Sequence, residues 1–106
     1  MVTQQLLCYK LSGLKCLVSE EMINNFQKGT APTYTISEAE FDAIKKQFVA
    51  FPKVLEQDFS KGTFKQYFEY KTSVDITLST IEDGVTFNNY HEGLHLGIIL
   101  QLLKFV

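Results

Sequence analysis

The chain has no tryptophan, only two prolines and only two cysteines in 106 residues. No apolar run approaches the ~18 residues that a membrane-spanning helix needs, so the reading is a protein with no membrane partner. Cys8 and Cys16 lie eight residues apart, which is neither a zinc-knuckle spacing nor a disulfide framework. On one helix they would share a face but sit roughly 12 Å apart, too far for a disulfide. They read as buried or free thiols of a reducing compartment. Basic residues do not gather into a run and the net charge is -2, so the footprint that nucleic-acid binding requires is missing. The first residues carry neither a charged n-region nor an apolar h-region, so no secretory leader is expected and the assignment is cytoplasmic.

What is present is ordinary globular material. Hydrophobic residues make up 45% and charged residues 21%, with nine Phe and five Tyr to fill a core. That length and composition suit one domain over residues 1–106. No repeat, linker or low-complexity tract divides it.

Residues 2–12 read as a helix that stops at Gly13, with no N-cap signal in front of it. Residues 14–18 read as loop. Ser19 opens a short helix with Glu20 and Glu21 in its first turn and Gly29 beyond its end. Residues 30–36 connect to Ser37-Glu38-Ala39-Glu40, a capping-box pattern. Phe41, Ile44, Phe48, Phe51, Leu55 and Phe59 then recur every three or four residues, predicting an amphipathic helix whose stripe is core. Pro52 should kink it, and Lys61-Gly62 should end it. Val74, Ile76 and Leu78 alternate, which predicts an extended segment. Tyr67, Phe68 and Tyr70 would anchor that loop or line a pocket. Ser79-Thr80-Ile81-Glu82 is a second capping-box pattern, opening a helix that runs to about Phe105. Its last third is apolar nearly all round and should be covered on every side. That makes the helix central to a bundle or places it against a second subunit.

The chemistry-bearing stretch is Asn88-Asn89-Tyr90-His91-Glu92-Gly93-Leu94-His95. On a helix His91 and His95 are one turn apart on one face, so their imidazoles can converge on a divalent ion at about 2.1 Å for zinc. Asn88 lies on the same stripe one turn earlier, and Glu92 is about 100° round the helix from His91. The letters also spell the zinc-protease signature His-Glu-x-x-His. A protease helix that continues to another ligand has Gly and then His where this chain has Ile98 and Gln101. Only eleven residues follow His95, none of them His, Asp or Glu, so the protease reading is set aside. Core imidazoles hydrogen-bonded to Asn88, Tyr90 or a backbone carbonyl are the competing account.

The stretch FNNYHEGLHLGII resembles the C-terminal helix of the DinB/YfiT-like metalloenzyme superfamily. YKLSGL and NNFQKGTAP are similar to its second helix and the loop after it, so the resemblance covers nearly the whole chain. It implies an all-α, up-and-down four-helix bundle with a metal held by three His. His91 and His95 match the two ligands of the last helix; Asn88 and Glu92, from their helical register, are candidates for residues behind them. The family's other His would fall just upstream of Met1, and the first helix is missing too. Ile98 stands where relatives often have Gln. The expectation is a shortened form, weak for zinc or nickel, completed by homodimerisation. Characterised relatives include transferases and isomerases that use low-molecular-weight thiols. The alternative is a non-catalytic helical dimer or interaction module with a vestigial or structural His pair.

Overall fold

The computed structural model describes residues 6–106, and side chains from Leu7 onward; the expected start of the first helix at residue 2 lies outside them. Four α-helices carry most of the described chain: α1 (Leu6–Tyr9), α2 (Glu20–Phe26), α3 (Glu38–Ser60) and α4 (Ile81–Leu102), the last running into a 3-10 turn at Leu103–Phe105. Two short strands, β1 (Tyr70–Lys71) and β2 (Thr77–Leu78), form an antiparallel pair with Tyr70 opposite Leu78. The mostly helical expectation holds, and this small hairpin is the extended segment. Val74 falls in its turn rather than in a strand.

The helix ends follow the local chemistry. Gly13 (φ 72°) closes α1, with the amides of Ser12 and Leu14 donating to the Tyr9 carbonyl. The Ser19 side chain caps α2 by accepting from the Met22 amide at 3.2 Å. At α3, the Ser37 hydroxyl accepts from the Glu40 amide at 3.2 Å, and the Glu40 carboxylate accepts from the Ser37 amide at 2.8 Å. Gly62 (φ 70°) follows its last turn. The second capping box is shifted one residue from the sequence reading. Thr80, not Ser79, is the N-cap, and Asp83, not Glu82, returns the bond. Starting the helix at Ile81 buries that side chain and leaves Glu82 outside. The Asp83 carboxylate also accepts from the Ser79 amide at 2.9 Å, and these bonds hold its pKa below the usual value.

The core sits where α1 meets the first turns of α4. Cys8, Tyr9 and Ile81 are buried together, with Leu14, Cys16, Leu55, Phe64 and Val85 packed around them. Cys8 and Cys16 are free, and they do not share a helix, because α1 ends at Tyr9. Burial pushes the Cys8 thiol up to about 11 and raises Cys16 as well, so both stay protonated at neutral pH.

One expectation is overturned and another is narrowed. The α3 stripe is not core: Phe41, Phe48 and Phe59 are 51%, 47% and 45% exposed, and Ile44, Phe51 and Leu55 are half-buried. The last third of α4 is not covered within the single chain, which removes the central-helix alternative and leaves a second subunit. Leu96, Leu100 and Leu102 are each more than half exposed, and burial within α4 is confined to Ile81 and Gly84. Helical periodicity sets which face is apolar; it does not supply the neighbour that would bury it.

Gly84 and Gly97 show what α4 contacts along its length. A Cβ on Gly84 would lie 2.7 Å from the Tyr67 hydroxyl oxygen and 3.2 Å from its ring carbon, whereas one on Gly97 meets nothing within 4 Å. Alanine gains about 1 kcal/mol of helix propensity over glycine, and overpacking costs about 1–3 kcal/mol. Gly84→Ala is therefore expected to destabilise and Gly97→Ala to stabilise by about 1 kcal/mol. Thermal denaturation of the two variants checks this, and shifts of the same sign would contradict it.

Candidate functional site

α4 is a continuous helix through residues 88–95, so its register decides which side chains meet. His91 and His95 sit one turn apart with ring centroids 4.7 Å apart and planes tilted by 56°. Both are half-buried, and Phe87 lies 6.1 Å from His91 on the preceding turn. Burial lowers the His91 pKa below 6.5, the nearby His95 lowers it further, and the Glu92 carboxylate opposes them. A neutral imidazole is the form that ligates a metal or accepts a hydrogen bond.

The pair therefore supplies two suitable donors on one face. Among the described residues, no third His, Cys, Asp or Glu joins them in a metal-holding group. A divalent ion held here would have two protein ligands, with its other positions filled from elsewhere.

Asn88 and Glu92 are placed differently from the sequence reading of them as residues behind the ligands. Both line a groove between α3 and α4 with a volume of about 1070 Å³. His91 and His95 are not among its lining residues. Phe48, Phe51, Leu55 and Phe59 from α3 face Val85 and Leu96 from α4 across it. Both carboxylate oxygens of Glu92 and the Asn88 side-chain oxygen are buried without a hydrogen-bond partner in the protein. Buried acceptors normally find a donor, so these oxygens are anomalous among the described residues. Sequence reasoning missed the groove. The signal was there, since Val85, Asn88, Glu92 and Leu96 recur every three or four residues along one stripe of the last helix.

The hydroxyl of Tyr67 is also buried without a partner, and burial pushes it up to about 12. It packs on Gly84, while Phe68 and Tyr70 are exposed. Tyr67 therefore anchors the loop.

Searches against protein-family models, curated proteins and solved structures found no match to this chain. The site is consequently read from its own chemistry. No helix is long and apolar enough to cross a membrane among the described residues.

Proposed function

We propose that this chain is a cytoplasmic metal-binding helical protein of the DinB-like kind, with His91 and His95 as two imidazole ligands of a zinc or nickel ion. The observation that carries this reading is the 4.7 Å separation of the two rings on one face of α4. The lowered pKa of His91 adds to it, because the ring stays neutral further into acid than a free imidazole does. When bound, such an ion would lower the pKa of a coordinated water or low-molecular-weight thiol, the chemistry of thiol-dependent transferases. The chain's own part is to orient the two rings from a rigid helix and to keep one of them deprotonated.

The test is a zinc and nickel titration by calorimetry with a parallel melting curve. Wild-type protein should bind one ion weakly and melt at a higher temperature with it. His91→Ala and His95→Ala should each remove both effects. Binding that persists in both variants, or no binding at all, would sink the reading. The apo protein carries a pH signature of its own. A folded-state pKa below 6.5 means the unfolded chain binds more protons, so stability rises with pH. It is fully present above about pH 6.5 and lost as pH falls through the folded value. Denaturation midpoints should fall between about pH 7 and pH 5, and less so in His91→Ala.

The uncovered apolar face of α4 favours a second reading, self-association into a homodimer. Leu96, Leu100, Leu102 and Leu103 are each more than half exposed, and contiguous patches of this kind mark interaction surfaces. Sedimentation at micromolar concentration should then give a dimer. Leu102→Glu, at a position 59% exposed in the single chain, should return it to a folded monomer. A wild-type monomer would end this reading.

A further inference from the structure

The α3–α4 groove pairs an apolar wall with acidic chemistry. Six aromatic or aliphatic side chains of α3 line one side, and three carboxylates, Glu56, Glu82 and Glu92, lie around it. No lysine or histidine is among the lining residues. At its α4 wall, Glu92 and Asn88 offer three buried oxygen acceptors and meet no donor.

We propose that this groove binds an amphipathic cation, an apolar chain or ring system carrying a primary ammonium group. The apolar body lies along Phe48, Phe51, Leu55 and Phe59, a row about 16 Å long at 1.5 Å per helical residue, and the ammonium meets Glu92 and Asn88. The chemistry is specific in sign and in donor count. An ammonium has three N–H donors and no acceptor, which complements the unpartnered oxygens of Glu92 and Asn88. A carboxylate headgroup would bring like charge to Glu92, and a hydroxyl would bring one donor and no charge. The Glu92 oxygens have no hydrogen bond to give up when the ammonium binds. A carboxylate taken from water without a partner is costly, and a matching cation relieves that cost. The volume lies just above the ~300–1,000 Å³ usual for small-molecule sites, as an open groove should.

This site is separate from the two imidazoles and does not rest on the metal reading. The probe is dodecylamine below its micellar concentration, with dodecanol and dodecanoate of equal chain length as controls, followed by calorimetry on the full chain. The expected result is saturable one-to-one binding of dodecylamine, weaker by about tenfold or more for both controls, as losing a charged hydrogen bond predicts. Glu92→Gln should weaken dodecylamine by about tenfold and narrow its preference over dodecanol. Val49→Lys, at a 66% exposed position on the groove wall, should also weaken it while leaving the circular dichroism spectrum unchanged. Equal affinity for the three probes, or an unaltered Glu92→Gln, overturns the proposal. So does the absence of saturable binding, the result expected if a second copy of the chain fills the groove.

Discussion

Leu78→Ala is expected to cost about 2–5 kcal/mol, the range for truncating a well-packed leucine and leaving a cavity. Leu78 is 2% exposed, and with Cys8 it is among the largest fully buried side chains of the described chain. It sits on β2, which packs on α4, so its loss loosens the hairpin and the helix together. Small domains are stable by only about 5–15 kcal/mol, and the buried set here is short. The variant should therefore be partly or wholly unfolded at room temperature. Denaturant titration of wild type and variant reads this directly; a difference below about 1 kcal/mol would show that the side chain is not packed as described.

Tyr9 carries the other large effect. It is 3% exposed, its ring meets Phe64 edge-on at 5.1 Å, and its hydroxyl donates to the Asp58 carboxylate at 2.5 Å. That bond joins α1 to α3 across 49 residues of sequence. Tyr9→Ala should cost about 3–5 kcal/mol, as large aromatic truncations do. Tyr9→Phe isolates the hydroxyl and should cost about 1.5–3 kcal/mol, the range for a hydrogen bond to a charged group. If the bond is what matters, adding Asp58→Ala to Tyr9→Phe should cost little more, and a double-mutant cycle measures that coupling. Simple additivity of the two changes would refute it. Burial, then the bond to Asp58, raises the Tyr9 pKa above 10, so the folded chain retains a proton that the unfolded one loses. Stability is complete below pH 10 and declines as pH rises past it.

The local features of this fold were legible because they are written in short-range chemistry. Ser37 with Glu40, Ser19 before two glutamates, and Gly13 after α1 each satisfy backbone groups within a few residues. The one-residue slip at Thr80 marks the edge of that legibility. Ser79 and Thr80 can both cap, and the burial of Ile81, a tertiary fact, decides between them. Tertiary burial was less legible. Phe41, Phe48 and Phe59 have the spacing of a core stripe, yet α3 is tied down mainly through Leu55 and the carboxylate of Asp58. At the candidate site, the spacing of His91 and His95 correctly put their rings side by side. It could not show that Glu92, one residue on, belongs to the groove beside α3.

The docking of α1 on α4 has a consequence for biosynthesis. Cys8 and Tyr9 leave the ribosome well before Ile81, their buried neighbour, which is made only after some seventy more residues have been added. Closing so long a loop is entropically slow compared with local pairing. The nascent chain therefore carries the apolar side chains of α1 unshielded until α4 emerges. Until then that surface is open to aggregation, the hazard that chaperones exist to limit.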